Sequence, residues 1–485
     1  MMLSFDISVV ADGSRTWSRD GDQWIGPAGW VRPFVHPALE SVAVIDGPRL
    51  RLSVAERCEE PDFVRLDTDG RTVTVEAGPL GRAPIYLRHR NNRITGSWRI
   101  SDLMDSLPYG ALNDRGLIRL LTRRHRFSAD TVFADIVCLT ERARISAGPA
   151  GIQVRYPDPV ERPVHRRALR RDVDPVAVIG DLLGRHLEQR PTDGVELSGG
   201  ADSALVAAEL AGLFEHRVRS FGLVMPGQEG IAQTARREAI AETLKLTDTP
   251  IHAVLHPPFG AGRRYELHNP ASSYYCESFD ALAAAARSYG VRAMATGFGG
   301  DELMACPAEA QATPTEEFLP EWLSAKARAA VPDIEADLAP PAHLYTPTLM
   351  ALASHAPGLL AAGIWQIAPL ADPALTRFCR QLPEELVIGK RVLRERLALR
   401  IPKRVAYRSS PETFRPIMEI GMRRFGLPLL DDYLKRGLLL AELGMVEPAV
   451  LQAATCAAQS GTAVDSRLAD VLRLEHGLRL VWGEL

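Results

Sequence analysis

Lysine is scarce in this chain. Only Lys245, Lys326, Lys390, Lys403 and Lys435 occur among 485 residues, so a phosphate-binding or catalytic lysine has few candidates. The six cysteines (Cys58, Cys138, Cys276, Cys306, Cys379, Cys456) are scattered, with no CxxC pair. That spacing excludes a zinc knuckle and a thioredoxin-like motif, and predicts buried thiols in a reducing compartment. No run of about 18 apolar residues is present, which excludes a membrane-spanning helix. The opening residues lack the basic region and long apolar stretch of a secretory signal, so a soluble, cytoplasmic protein is expected. Net charge is −3 and the pI near 6.5, which gives no basic footprint for nucleic acid. There is no internal repeat, and no GxxxxGK[ST] loop of the kind that serves γ-phosphate transfer.

What is present is enough apolar sequence for a large core. At 46% hydrophobic and 24% charged, 485 residues predict two or three domains. Residues 1–155 read as β-rich: SVAVIDG, RLRLSV, TVTVEAG and APIYLRH are short apolar or alternating segments between Gly, Asp and Asn turns. One helix is predicted at LNDRGLIRLLTRRH, capped by Asn113 or Asp114. Residues 156–175 are rich in Pro and charge and read as a linker. From residue 176 strands and helices alternate: strands at Gly194–Leu197, RSFGLVM, PIHAVLH and VRAMAT, with helices at ADSALVAAELAGLF, IAQTARREAIAETLKL and SFDALAAAARSYG. Strict alternation predicts a parallel sheet with helices on both faces, its core spanning about residues 190–305. Residues 306–485 read as a helical remainder.

In such a sheet the ligand sits beyond the carboxyl ends of the strands. Two of those ends carry unusual residues. Ser198-Gly199-Gly200-Ala201-Asp202-Ser203 joins a strand to a helix. Its glycines let backbone N–H groups approach an anion, the helix adds the positive end of its dipole, and Ser198 and Ser203 add hydroxyls. The bland alternative is a Gly-rich turn with a capping aspartate. Thr296-Gly297-Phe298-Gly299-Gly300-Asp301-Glu302 follows the fourth predicted strand. Asp202 and Asp301 then face one cleft, and paired carboxylates beside a phosphate cradle suit Mg²⁺, which takes a few hard oxygens together with phosphate oxygens.

The two loops resemble the SGGxDS and (S/T)GxGxDE signatures of the asparagine synthetase class of ATP pyrophosphatases. Ala368–Pro373 and Gly389–Arg394 resemble that class's PfxD and KxxLR segments. Gly81–Tyr86 and Ile94–Ser97 resemble late strands of its N-terminal domain. The resemblance implies an N-terminal degenerate glutaminase-like (Ntn) domain followed by a PP-loop ATP pyrophosphatase domain with a helical extension. It implies ATP and Mg²⁺ as cofactors. Ser198, Gly199, Gly200 and Ser203 would hold pyrophosphate, Asp202 and Asp301 the metal, and Leu197, Val224, Thr296, Gly297 and Phe298 the nucleotide. A carboxylate would attack the α-phosphate to give an acyl-adenylate, which an amine then converts to an amide.

Three departures narrow the expectation. The glutamine-dependent enzymes need a cysteine immediately after the initiator Met, where this chain has Met2; glutaminase activity is therefore expected to be absent. Phe298 stands where β-lactam synthetases carry the tyrosine of a Tyr–Glu base and asparagine synthetases a glutamate. It has no titratable group, which favours a nucleophile needing little base help, such as an N-terminal amine. Ser410 replaces the lysine of the family's RxK segment, leaving Arg408, Lys390, Lys403 or Lys435 to supply charge. The leading expectation is a lasso-peptide macrolactam synthetase acting on a precursor peptide, with a leader peptidase and a leader-binding protein as partners. A β-lactam or other small-molecule amide synthetase, and a non-catalytic nucleotide-binding scaffold, are the alternatives. His252 and His256 read as structural histidines, and Ser272–Glu277 as a capping turn or a substrate contact.

Overall fold

The computed structural model describes residues 3–9, 16–59, 61–104, 111–124, 128–160, 169–214, 218–260, 274–304, 319–336, 342–407 and 413–482. Within the first 155 residues two antiparallel sheets form, of seven and six strands. Ser4–Ser8 lies inside the first, between Gly29–Arg32 and Arg93–Ser97. The second runs from the edge strand Leu39–Asp46 to Gly151–Arg155. Alternation sends Phe5, Ile7 and Val31 from one sheet, and Leu50, Leu52, Val64, Leu66, Val73 and Val75 from the other, into a shared apolar core. The predicted helix forms at Asp114–Leu121, with the Asn113 side chain accepting the Arg115 N–H.

A further helix, Pro175–Glu188 (α1), is capped by Asp174 with Pro175 in its first turn. After it comes a five-stranded sheet, parallel throughout: β1 (Gly194–Glu196), β2 (Arg219–Val224), β3 (Thr247–His252), β4 (Ala293–Ala295) and β5 (Trp365–Ile367). Helices α2 (Ala201–Phe214), α3 (Gly227–Leu244) and α4 (Cys276–Ser288) link the first four strands. The spatial order is β3-β2-β1-β4-β5. The chain moves outward one way from β1 to β3, then returns beside β1 as β4 and moves the other way. The loops leaving β1 and β4 therefore diverge and open a crevice at this reversal.

Two sequence expectations need correcting. β5 lies in the stretch read as helical. Its residues are all buried, so it shows no alternation, and three residues are too few for a periodic signal. β3 ends at His252, followed by a 3₁₀ turn at Ala253–Leu255; His252 is exposed and His256 sits beyond the strand.

The N-terminal sandwich is fastened to β5 by a buried charge cluster. Arg82 is fully buried, with its guanidinium 2.5 Å from Glu56 and 3.2 Å from Asp62. It also donates to the Gln366 carbonyl and lies 5.0 Å from the Trp365 ring centre. Arg190 reaches Glu56 at 3.2 Å, and the Trp365 indole N–H donates to Glu56 at 2.8 Å. Asp62 accepts the N–H groups of Leu80, Gly81 and Arg82, so the GRAP turn is folded around this carboxylate.

Nearby Glu141 has no such compensation. Burial pushes its carboxyl up to about 8, against a weaker pull from Arg142. The folded protein thus keeps a proton that the unfolded chain releases near pH 4.5, so stability falls as pH rises between about 5 and about 8. Glu141→Gln removes that slope. Urea unfolding at pH 8 is expected to show a gain on the order of 2 kcal/mol, and at pH 4.5 almost none.

Candidate active site

The crevice at the sheet reversal is built from two glycine-rich turns and one kinked helix. After β1 the chain turns through Ser198–Gly200, with Gly199 at φ +93°. The Ser203 hydroxyl lies 2.9 Å from that of Ser198 and accepts the Ser198 N–H at 3.2 Å, while the Ser198 hydroxyl accepts the Gly200 N–H at 3.2 Å. Gln233 from α3 donates to the Ser198 carbonyl at 2.7 Å. These bonds hold the turn in place, with the first turn of α2 opening directly behind it.

The loop after β4 packs against this turn backbone to backbone. A Cβ on Gly297 would stand 2.7 Å from the Ser203 nitrogen, and one on Gly300 would stand 2.2 Å from the Asp202 carboxyl carbon. Any side chain at 300 therefore displaces Asp202. Gly300→Ala is expected to lower ATP-dependent activity by on the order of 10²-fold, the usual effect of misplacing a site group by about 1 Å. Pyrophosphate exchange measured beside thermal unfolding checks this; unchanged exchange would show that the carboxylate's position is unimportant.

Lys390 completes the crevice. Its ammonium lies 2.5 Å from Asp202 Oδ2 and 2.5 Å from Asp301 Oδ1, bringing the two strand-end carboxylates onto one cation. Gly389 and Lys390 both take left-handed backbone conformations, at φ +62° and +57°. For the lysine this costs roughly 1–2 kcal/mol. The kink separates Glu384–Val387 from Arg391–Leu397 and aims the side chain at the strand ends. Backbone strain of this kind concentrates at functional sites.

The two aspartates are not equivalent. The Asp301 side chain is 83% exposed, that of Asp202 only 15%. Burial raises the Asp202 carboxyl above its ordinary value; Lys390 opposes this, while Asp301 and Glu302 add to it. Burial pulls Lys390 downward, but Asp202, then Asp301, outweigh it and leave its proton more firmly held than in free lysine. Asp202 Oδ1 is buried and has no hydrogen-bond partner among the described residues. A buried, unsatisfied carboxylate oxygen beside a second acid fits a hard divalent cation. Among the described residues no group of three or more His, Cys, Asp or Glu side chains is arranged to hold a metal. A cation here would therefore complete its shell with phosphate oxygens and water, as Mg²⁺ does with nucleotides.

Residues 177–365 match the asparagine synthase family. That segment contains both turns and the first four parallel strands and ends where β5 begins, and the match supports an ATP-dependent amide-bond synthetase of asparagine synthetase-like type. No curated protein matches the chain. Among solved structures it is similar to a U34-tRNA thiolase from Methanococcus maripaludis, at 14% identity over 59% of this chain and 78% of that one, with a TM-score of 0.28. It is also similar to an NMN synthetase from Francisella tularensis, at 14% identity over 50% of this chain and 100% of that one, with a TM-score of 0.20.

The remaining predicted positions fall as follows. Val224 ends β2, half-buried at the crevice side of the sheet. Leu197 is fully buried, its N–H already donates to the Phe221 carbonyl at 2.7 Å, and its carbonyl oxygen packs against Gly222. Thr296 is buried, with its N–H bonded to the β5 residue Ile367. The Phe298 ring packs on His355 and on an apolar cluster that includes Leu80, Leu349 and Leu352. Lys435 pairs with Asp431 on the surface and Lys403 is exposed on the short helix Lys403–Ala406. Arg408, Ser410, Ser272 and Ser273 lie outside the described residues. Asp372 of the PfxD segment caps the helix Pro373–Cys379 and meets His186 at 3.0 Å, while Leu370 and Ala371 back the turn at Gly299. Sequence reading missed Gln233 and also Arg237, whose guanidinium bonds Gly222 and Asp248 behind the first turn. Neither carries a motif, since each acts across a fold contact.

Proposed function

We propose that this protein is an AMP-forming amide synthetase whose substrate supplies both the carboxylate and the amine, a macrolactam-forming cyclase of the lasso-peptide type. The observation that carries the adenylation half is the meeting of Asp202, Asp301 and Lys390 beside the Ser198–Ser203 turn. In this reading the two serine hydroxyls, held in place by the Ser198 and Gly200 N–H groups, meet phosphate oxygens, assisted by the start of α2. Asp202 and Asp301 hold Mg²⁺, which when bound would neutralise charge gathering on the departing pyrophosphate. Lys390 keeps the acids from repelling one another and supplies a mobile cation at the rim of the crevice. The substrate carboxylate attacks the α-phosphorus, the bond to pyrophosphate breaks, and the acyl-adenylate then yields an amide and AMP.

Two features support a substrate-borne amine over ammonia drawn from glutamine. The cavity where the N-terminal sandwich meets Leu360 and the β5 residue Trp365 holds about 20 Å³, room for about one water molecule. Its lining is apolar apart from Asp62, with side chains such as Leu3, Phe34, Val54 and Trp98, and among the described residues no cysteine faces it. Phe298 supplies no base of the Tyr–Glu kind, which favours a basic amine over an amide nitrogen. The leader peptidase and leader-binding protein belong to the same proposal. No described helix is long and apolar enough to cross a membrane.

The test is ATP–pyrophosphate exchange with Mg²⁺ and a set of synthetic linear peptides differing in the position of one Asp or Glu. Exchange with at least one peptide, AMP release and a product lighter by one water support the reading. Absence of exchange with every peptide and with free amino acids would sink it.

A further inference from the structure

Beneath the crevice floor lies an acid–imidazole pair. Glu196 is the last residue of β1, two positions before Ser198. His355 comes from the helix Thr346–Ala361 (α5). Its Nε2 lies 3.1 Å from Glu196 Oε2, yet the atoms are off the line of a hydrogen bond, and both are buried without a hydrogen-bond partner among the described residues. The His355 side chain is 5% exposed. Two turns earlier on the same helix, Thr348 donates to Glu302 of the second glycine-rich loop at 3.2 Å. α5 therefore fixes this pair relative to the phosphate-side machinery.

Aromatic rings surround the pair. Phe279 and Phe298 meet the His355 ring edge-on, with centroids 4.7 and 5.0 Å away. Phe414 continues the wall at 6.0 Å from Phe279 and 4.5 Å from Tyr275. All four of these rings are half-buried. Partly exposed aromatic rings backed by a carboxylate are the elements that recognise an organic ammonium. An imidazole held by a carboxylate is the group that can take its proton.

Building on the adenylation reading, we infer that Glu196, His355 and this aromatic wall form the site that receives the attacking primary ammonium and deprotonates it. The ammonium lodges against Phe298 and Phe279 and gives one proton to His355, whose imidazolium is stabilised by Glu196. The freed nitrogen lone pair forms the C–N bond at the acyl carbon. The C–O bond to AMP breaks with its electron pair leaving on the phosphate, and the second N–H proton passes to the departing phosphate or to water. Phe298 thus belongs to the amine side of the reaction, and the base missing from its own position is supplied by the residue its ring touches.

Hydroxylamine separates this role from a structural one, because it is uncharged at neutral pH and needs no deprotonation before attack. His355→Gln and Glu196→Gln are compared with the unaltered enzyme using a linear peptide that supports exchange. Amide formation is expected to fall roughly 10²–10⁴-fold. Pyrophosphate exchange and hydroxamate formation with hydroxylamine should stay within about threefold of the unaltered enzyme. Phe279→Leu, which leaves the pair intact, should raise the KM for an added primary amine several-fold at unchanged exchange. Equal losses of amide and hydroxamate, or amide formation within fivefold of normal in both Gln variants, would overturn the inference while leaving adenylation standing. Absence of exchange in the unaltered enzyme would remove the adenylation reading and this inference with it.

Discussion

Asp202→Asn is expected to abolish pyrophosphate exchange, with a loss on the order of 10³-fold or more, and to leave the protein folded. The effect is large because Asp202 is the buried member of the pair and owns the unsatisfied oxygen. An amide there cannot replace a full negative charge on a divalent cation, and charge stabilisation of this kind contributes more to catalysis than most other effects. The fold should tolerate the change because burial already works against the ionised Asp202 carboxyl, and Lys390 keeps its contact with Asp301. Unchanged or slightly raised thermal stability beside lost activity is the signature of a site kept at some expense to stability. Asp301→Asn should be milder, since that side chain is largely in water and can be replaced there by a solvent ligand. Exchange assays beside a melting curve decide the matter. Asp202→Asn retaining half of normal exchange would refute the cation assignment.

Arg82→Met should produce the largest stability loss of any single change in the N-terminal sandwich, about 3–5 kcal/mol. Removing one partner of a buried ion cluster leaves the others uncompensated. Here Glu56 would keep Arg190 and Asp62 its backbone N–H donors, but the cation shared between the two acids would be gone. Burial alone would raise the Glu56 carboxyl. The Arg82 and Arg190 guanidiniums, the Trp365 N–H and the Asp62 N–H overturn this and hold it at about 2. A depressed acid contributes stability above its unfolded value near 4.5 and loses it as pH falls toward 2. The unaltered protein should therefore lose stability steeply between pH 4.5 and 2. Arg82→Met should start lower and be less acid-sensitive over that window, because the Glu56 carboxyl then has only Arg190, the Trp365 N–H and the Asp62 N–H to hold it down. Denaturant unfolding at pH 7, 4.5 and 3 checks both statements; a loss under about 1 kcal/mol at pH 7 would show that the cluster relaxes into water.

The same cluster ties the sandwich to catalysis by position. Arg82 holds the Gln366 carbonyl on β5, the Gln366 amide lies 3.5 Å from the Thr296 hydroxyl, and Thr296 precedes the glycine turn that carries Asp301. Leu80 joins the apolar cluster under Phe298. The N-terminal sandwich thus buttresses the second loop.

Much of the site is legible in the residues alone. SGGADS and TGFGGDE carry their chemistry locally: glycines, a capping acid and a strand-to-helix context lie within a few consecutive residues. α2, α3 and α4 follow from apolar runs bounded by turns, though α3 begins four residues earlier than its apolar pattern, at Gly227. Lys390 is one of several lysine candidates by sequence; its left-handed backbone, which aims it, leaves no mark in composition.

Other features depend on contacts between distant residues. β5 is three buried residues that become a strand only because β4 lies beside them. Glu196 and His355 look like a strand terminus and a helix-face histidine until α5 folds across the sheet. Arg82 reads as one arginine among many until its charge is enclosed with Glu56 and Asp62.

The sequence by itself determined that two glycine-rich turns follow strands and that acids come directly after them. Turn chemistry and helix starts are settled by residues within one or two turns of each other. Only the tertiary structure decided that the two turns open one crevice, that Lys390 bridges their acids, and that an imidazole backs the site. Those outcomes depend on strand order and on the burial of charge, which arise when segments far apart in the chain exclude water from each other.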